Sequence, residues 1–191
     1  MTLVTPESAA APLTGRWEVD ADHSTIEFRV RHAGLARVRG VFQDVEGVLE
    51  AGPDGSVAAR GSVRTASLTT RVAARDEHLR SEDFFDVERH PLITFASTAI
   101  EIGSDGAVSA RGDLTIRGIT RAVELHGRFL GTGRDDEGAE RAGIEVAGTL
   151  DRRDFGLTWN AAVDGGGLLV GNRVDLSLEL SAVRSADAGS A

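Results

Sequence analysis

The chain has 191 residues, of which 41% are hydrophobic and 5% aromatic, and it carries a formal net charge of -9. This length and composition are typical of one soluble globular domain, and every apolar run is much shorter than the roughly 20 residues that a membrane-spanning helix needs. The negative charge disfavours nucleic acid as a partner, because nucleic-acid binding depends on neutralising phosphates with cations.

The sequence divides into three regions. Residues 1–14 have neither a basic start nor a sustained apolar run, so we expect a flexible lead-in rather than a secretory signal. Residues 185–191, SADAGSA, are small and polar, which predicts a disordered tail. Residues 15–184 are therefore expected to form a single domain. Since no secretory signal is visible, we expect the protein to be cytoplasmic.

Alternation of apolar and polar residues is the dominant pattern in this domain. In residues 24–32, the side chains of Ile26, Phe28, Val30 and His32 share one face, which predicts a half-buried antiparallel strand. The other strand candidates are residues 37–50, 56–69, 91–102, 107–117, 122–130, 143–150 and 173–183.

Short turns separate these candidates. Asp-Gly pairs in AGPDGS (51–56) and GSDGA (103–107) are typical of β-hairpins. We therefore predict an all-β fold, an extended antiparallel barrel of about eight strands, because closure removes exposed sheet edges. Three inward positions, Gly61, Gly127 and Gly148, indicate either sharp strand curvature or an interior that is kept open.

Residues 71–86 interrupt the alternation with RVAARDEHLRSEDFFD, which favours a short helical segment. The i, i+4 spacing of Asp76 and Arg80 predicts an ion pair on the exposed face of this helix. Because adjacent helical residues cannot share one narrow stripe, Phe84 and Phe85 are expected to anchor different surfaces, one toward the sheet and one toward the barrel mouth. The segment would then act as a lid or end plug.

Motifs for catalysis or metal binding are weak. The chain has no cysteine and no G-x-S-x-G element, and the spacing of His78 and His90 matches no zinc site. A solvated helix face explains His78 and the acidic residues around it more simply. We therefore predict no catalytic residue, no metal site and no cofactor.

Five motifs resemble those of the YceI-like proteins, which bind lipids or polyisoprenoids. They are WEVDADHSTIEFRVRH (17–32), VRGVF (38–42), RDEHLRSEDFFDVERHPLITF (75–95), GDLTIRGITRAV (112–123) and DRRDFGL (151–157). The resemblance implies a lipocalin-like barrel with a helical segment and a long internal tunnel. Its ligand would be an isoprenoid chain, such as a polyprenyl phosphate or a quinone tail, or another amphipathic lipid. Many members of this family are periplasmic.

Strand parity then predicts the tunnel wall, although each of these residues could equally be simple core. The predicted apolar contacts are Ile26, Phe28, Val30, Val123, Leu125, Phe129, Ile144, Val146, Leu176 and Leu178, with Phe84, Phe85, Phe95 and Trp159 as aromatic contacts.

Polar candidates for a headgroup are His32 and three arginines near strand ends. His32 continues the apolar face of its strand, where the alternative is a hydrogen-bonded core histidine. Arg117, Arg121 and Arg152 could each donate to a phosphate. Parity turns Arg117 outward and Arg121 inward, so Arg121 is the preferred candidate.

Three functions follow from these observations. The first is non-catalytic binding, sequestration or transport of an isoprenoid or similar amphipathic lipid, with a homodimer possible. The second is an enzyme that acts on a lipid within the same barrel, using His78, His90 and the neighbouring carboxylates. The third is a stress-linked interaction module in which the barrel is only a scaffold.

Overall fold

The structure is a computed structural model that describes residues 13–162 and 166–185. Most of the predicted lead-in and tail therefore lies outside the described residues. Within these two ranges, no helix is long and apolar enough to cross a membrane.

Strands make up most of the described chain. The strands are β1 (Gly15–Val19), β2 (Thr25–His32), β3 (Ala36–Phe42), β4 (Val45–Ala51), β5 (Val57–Arg64), β6 (Leu68–Thr69), β7 (Leu92–Ile102), β8 (Ala107–Ile116), β9 (Ile119–Arg134), β10 (Glu140–Asp151) and β11 (Val170–Arg184). One α-helix, α1 (Ala73–Arg80), follows β6, and short 3-10 helices span Ala21–His23, Thr65–Ser67 and Arg152–Phe155.

Eight of the described strands close into an antiparallel ring in the order β1-β4-β5-β7-β8-β9-β10-β11. β1 completes the ring, because Trp17 pairs with Leu49 of β4 on one side and with Arg184 of β11 on the other. The remaining strands β2, β3 and β6 extend the sheet from β11. The predicted all-β barrel of about eight strands with one short helical segment is confirmed.

The strand boundaries differ from the prediction at three places. Residues 56–69 form two strands, β5 and β6, with the 3-10 helix Thr65–Ser67 between them. Residues 37–50 form two strands, which separate at Gln43 and Asp44, where both backbone N–H groups donate to the Ser67 hydroxyl at 3.1 Å. No glycine or proline marks this break, so alternation alone did not reveal it. β1 was not predicted at all, because its five residues contain only two large apolar side chains, Trp17 and Val19.

One end of the barrel, the packed end, is filled by buried side chains. Trp17 is buried there, and its indole N–H donates to the Thr14 carbonyl at 3.0 Å. The residues that fill this end are Leu13, Trp17, Ala51, Phe129, Ala142 and Ala182. A second apolar cluster, built around Phe28, Phe42 and Phe85, lies toward the other end. A ligand site would lie in the interior between these two ends.

The inward glycines serve different purposes. A Cβ at Gly127 would overlap the backbone oxygen of Glu145, and a Cβ at Gly148 would lie 2.7 Å from the backbone oxygen of Glu124. These two glycines therefore permit the close approach of β9 and β10. Gly61, in contrast, lines an internal cavity.

Replacement of Gly127 by alanine should therefore force β9 and β10 apart. We expect Gly127→Ala to lower the free energy of unfolding by about 3 kcal/mol, the upper end for an overpacked site. Urea unfolding followed by circular dichroism measures the change. Gly133→Ala is the matched control, since a Cβ there meets no atom within 4 Å, and its effect should stay within about 0.5 kcal/mol. Equal stabilities of the two variants would contradict the role of Gly127 in the close approach of β9 and β10.

Candidate functional site

A cavity of about 380 Å³ lies inside the barrel, between the packed end and the segment that contains α1. This volume falls in the range of roughly 300–1,000 Å³ that is typical of small-molecule pockets. Most of its lining side chains are aliphatic or aromatic, and they come from strands all around the ring. The barrel is therefore not packed solid.

Most of the predicted site residues line this cavity, and Arg117, which parity turned outward, does not. Those that line it are Ile26, Phe28, Val30, His32, Phe84, Phe85, Phe95, Val123, Leu125, Ile144, Val146, Arg152, Trp159, Leu176 and Leu178. Alternation placed the strand residues of this set on the interior face, and the fold brings them together with Phe84, Phe85 and Trp159. Their role as ligand contacts stays a prediction.

Phe129 and Arg121 do not line the cavity, although both share the interior parity of β9. Phe129 is buried and pairs with Ile144, next to the irregularity between Gly143 and Ile144, and it belongs to the packed end. Parity therefore predicted its face correctly but not its position along the barrel. Arg121 is exposed, and its guanidinium donates to the neighbouring Thr120 carbonyl at 3.0 Å. β9 pairs with β10 only from His126 onward, which leaves its first residues facing a surface cleft. Arg121 pairs with Leu114 and so shares the interior face, but it is exposed to solvent and lies outside the cavity.

Glycine and phenylalanine shape the cavity wall together. Gly47 and Gly61 pair across β4 and β5, and both line the cavity, so this part of the wall carries no side chain. The ring of Phe95 covers Gly112, where a Cβ would lie 2.5 Å from the ring. Phe28 covers Gly40 in the same way. A large ring over a glycine buries backbone that would otherwise be bare.

Phe84 and Phe85 anchor two separate aromatic clusters. Phe85 contacts Phe28 and Phe42 of the sheet, with ring centroids 6.4 and 5.9 Å away. Phe84 instead contacts His78 of α1 and Trp159, with ring centroids 5.1 and 5.3 Å away. The prediction that these neighbours anchor different surfaces is confirmed, and together they fasten the helical segment across the cavity.

Asp76 holds α1 against the sheet. It is only 6% exposed, and it accepts hydrogen bonds from the Thr69 hydroxyl at 3.0 Å and from the Thr70 N–H at 2.7 Å. Burial by itself raises the pKa of Asp76, but the hydrogen bonds from Thr70 and Thr69 and the nearby charge of Arg80 outweigh it and lower the pKa below its usual value. The predicted exposed ion pair with Arg80 was wrong.

Arg80 makes its own contacts with the sheet instead. Its guanidinium donates to the backbone carbonyls of Ala66 at 2.9 Å and Leu68 at 2.6 Å. Both polar residues of the predicted pair thus face the barrel, because the helix lies flat against β6 and the preceding turn.

Arg152 is the buried cation of the site. It lines the cavity and is 3% exposed, and all its hydrogen bonds go to neutral oxygens rather than to a carboxylate. These acceptors are the carbonyls of Leu157, Trp159, Val170 and Gly171 and the side-chain oxygen of Asn172. Burial lowers the pKa of Arg152, partly offset by the charge of Asp151. The guanidinium still stays charged, since arginine titrates far above neutral pH.

Charged and imidazole side chains of the lining fall into two groups. Glu46 and Arg60 are exposed residues beside the glycine pair. The others lie where β2 ends and β11 begins, a region that we call the mouth. The residues of this group are Arg31, His32, Arg75, His78 and Arg152, of which Arg31 and His32 are exposed. Parity did not predict Arg31, Arg75 or His78, because they come from a strand end and from the helix rather than from an alternating face.

The two histidines of the enzyme hypothesis have different surroundings. His78 lines the cavity, and its Nε2 lies 2.9 Å from an Asp83 carboxylate oxygen. His90 is not part of the cavity lining and lies beside the turn at Gly118. Among residues 13–162 and 166–185, no group of three or more histidine and carboxylate side chains is placed to hold a metal ion.

Comparison with known proteins gives consistent results. A family model described as YceI-like domain matches residues 17–182. A UPF0312 protein of Ectopseudomonas mendocina is 37% identical over 138 residues, covering 71% of this chain and 72% of that protein. A UPF0312 protein of Pectobacterium carotovorum is 36% identical over 157 residues, covering 79% and 80%.

Solved structures share the barrel. BcnA of Burkholderia cenocepacia has a TM-score of 0.71 at 18% identity, covering 85% of this chain and 98% of that one. A YceI protein of Campylobacter jejuni has a TM-score of 0.69 at 25% identity, covering 82% and 90%. A polyisoprenoid-binding domain from Saccharophagus degradans has a TM-score of 0.68 at 13% identity, covering 88% and 98%. The first and third likenesses show the fold alone.

The buried carboxylate of Asp76 should make stability depend on pH. Because its pKa is lowered in the folded state, the carboxylate stabilises the fold above about pH 4 and loses this effect as pH falls. We expect Asp76→Asn to lower the free energy of unfolding by about 1–3 kcal/mol at neutral pH, with the difference narrowing below about pH 4. Denaturant unfolding at a series of pH values measures it.

The neighbouring Glu77 supplies the control for this experiment. Glu77 is exposed on the same helix, so Glu77→Gln should change stability by less than about 0.5 kcal/mol. A difference between wild type and Asp76→Asn that stays constant down to acid pH would contradict the assigned role of the carboxylate.

Proposed function

The chain belongs to the YceI-like domain family, and we propose that it binds an isoprenoid or similar amphipathic lipid in its internal cavity without catalysing a reaction. The observation that carries this proposal is the cavity itself. Apolar side chains surround unfilled space in a barrel whose packed end is filled. Protein interiors are normally packed to the density of organic crystals, so unfilled apolar space of this size favours an apolar ligand.

An apolar chain suits this lining energetically. Each buried CH₂ contributes about 0.8 kcal/mol, so a lipid tail of several units needs few directional contacts. The aromatic rings over the cavity, those of Phe28, Phe85 and Phe95, offer flat surfaces to such a tail. Affinity would then depend on the length of the tail that the cavity accepts.

The mouth suits a polar head. Arg152 carries a positive charge with no carboxylate among its hydrogen-bond acceptors, and Arg31, Arg75 and His32 belong to the same lining. A negatively charged head, such as a phosphate, would compensate the charge of the three arginines. We therefore place the head of the ligand at the mouth and its tail toward the packed end.

The comparisons support a binding role in general terms. One structural neighbour is described as a polyisoprenoid-binding domain, and this chain has a barrel of the same fold with an apolar interior. Sequestration or transport of the lipid is the role we propose, since α1 and its aromatic anchors cover the cavity and would separate a bound tail from water. An enzyme that uses His78 and His90 together is less well supported, because only His78 lines the cavity.

Lipid binding is tested directly by native mass spectrometry. Protein purified from its own host should carry a bound mass that organic extraction releases as a lipid with a long apolar chain. Protein that carries no lipid, and that binds neither a polyprenol nor a polyprenyl phosphate after addition, would overturn the proposal. Turnover of the bound lipid would support the enzyme hypothesis instead.

Filling the cavity should weaken lipid binding. Ala110 lines the cavity on β8, so Ala110→Phe places a ring where the tail would lie. We expect about tenfold weaker binding of the longest polyprenol that the wild type accepts, equivalent to about two displaced CH₂ groups. Ala147→Phe on the exposed face of β10 is the control and should leave affinity unchanged.

Folding of the filled variant must be checked in parallel. Circular dichroism and thermal unfolding report whether Ala110→Phe retains the barrel, and Val146→Phe fills the same cavity from β10 if it does not. A folded filled variant with undiminished affinity for the longest chain would contradict binding inside the barrel.

A further inference from the structure

The hairpin between β2 and β3 ends in an exposed apolar residue. The Leu35 N–H donates to the His32 carbonyl at 3.1 Å, across a two-residue turn in which Ala33 and Gly34 have φ values of 50° and 71°. Positive φ at both central residues is typical of the tight turns that close twisted hairpins. Leu35 follows this turn and is 87% exposed. We call residues 31–37 the hairpin tip.

A second exposed leucine lies in the segment beside this tip. The Ala33 N–H donates to the Leu169 carbonyl at 2.7 Å, and His32 pairs with Val170 at the start of β11. Leu168, which precedes this contact, is 55% exposed. Two large apolar side chains are thus presented by adjacent segments at the same end of the barrel.

The charges of the hairpin are arranged unevenly. Arg29 and Arg39 face each other across β2 and β3, and both form ion pairs with the buried carboxylate of Glu27. Arg31 and Arg37 form the next opposed pair toward the tip. Like charges directly opposite each other destabilise a sheet unless a counter-charge is present.

No counter-charge for this second pair is found among residues 13–162 and 166–185. The side chains of Arg31 and Arg37 are exposed and form no hydrogen bond or ion pair with any residue in 13–162 or 166–185. Residues 29–39 contain four arginines and no carboxylate, in a chain whose net charge is -9. The hairpin tip is therefore a local cationic and apolar surface on an acidic protein.

The hairpin tip also borders the mouth of the cavity. Arg31 and His32 are exposed residues that belong to the cavity lining. A surface that holds the tip would therefore lie next to the route into the barrel.

We propose that the hairpin tip docks the protein on an anionic lipid bilayer, with Leu35 and Leu168 entering the interfacial layer and Arg31 and Arg37 contacting anionic headgroups. This inference rests on the proposed function, because docking would let a lipid pass between bilayer and cavity without crossing water. An acidic protein surface would satisfy the arginines, but docking on it would not bring a lipid to the mouth. A bilayer surface supplies both kinds of contact.

Vesicle co-sedimentation of the full chain tests the proposal. The wild type should sediment with vesicles of phosphatidylcholine and phosphatidylglycerol but not with vesicles of phosphatidylcholine alone. Leu35→Ser should weaken binding about tenfold. Arg37→Gln should weaken it about fivefold, and this effect should disappear when salt is raised from about 0.1 M to about 1 M.

Two exposed residues near the packed end provide matched controls. Leu130 and Arg128 are exposed neighbours on β9, and Leu130→Ser and Arg128→Gln make the same chemical changes away from the hairpin tip. Both should bind vesicles like the wild type. Absence of vesicle binding, or equal losses in the tip and control variants, would overturn the proposal. So would binding that depends on Arg37 but not on Leu35, because the tip would then not enter the bilayer.

Native mass spectrometry of the same preparations separates this proposal from the proposed function. Protein that carries a lipid but does not bind anionic vesicles would overturn the proposed docking site and leave the proposed function intact. Protein that binds vesicles through Leu35 but never holds a lipid would overturn the proposed function while supporting the docking site.

Discussion

Closure of the sheet by β1 is the constraint on which the rest of the structure depends. This five-residue strand pairs with β4 on one side and with the last residues of β11 on the other, so the sheet edges at which the ring closes are paired there. The same strand brings Trp17 to the packed end, where it is buried among small and apolar side chains. A closed ring with one filled end can enclose apolar space without exposing it.

The other end of the ring is covered by a helical segment rather than by side-chain packing alone. Two kinds of contact hold this segment: the buried carboxylate of Asp76 on the Thr69–Thr70 turn, and the rings of Phe84 and Phe85 on separate aromatic clusters. Arg152 fixes the opposite side of the mouth by donating to backbone carbonyls of two segments. Polar contacts thus surround the cavity at one end, while its wall stays apolar. This division suits an amphipathic ligand whose head and tail need different surroundings.

The polar surroundings at the mouth continue outside the barrel, at the hairpin tip. Inside the mouth, Arg152 is buried and its donors are all directed to protein oxygens. Arg31 and Arg37 are exposed, and within the part of the chain that the structure describes their donors have no acceptor. Because the whole chain has a net charge of -9, these arginines and the exposed leucines beside them make this end of the molecule more cationic and more apolar than the chain as a whole. The cavity and the proposed docking surface share that end, so a single orientation on a bilayer would serve both.

The sequence by itself determined the fold class and the interior face, because a period of two is a local property that each strand carries in its own residues. It therefore predicted Phe28, Val146, Leu176 and other strand residues of the cavity wall, and the break in alternation at residues 71–86 located the helical segment. Tertiary structure alone decided depth and exposure: Phe129 and Arg121 share the parity of Leu125, but one is packed at an end and the other is in solvent. The depth of a side chain in the barrel depends on where the ring closes and where neighbouring strands separate. Both are set by contacts between residues far apart in the chain. For the same reason β1, the burial of Asp76 and the exposure of Arg31 and Arg37 became visible only in the folded barrel.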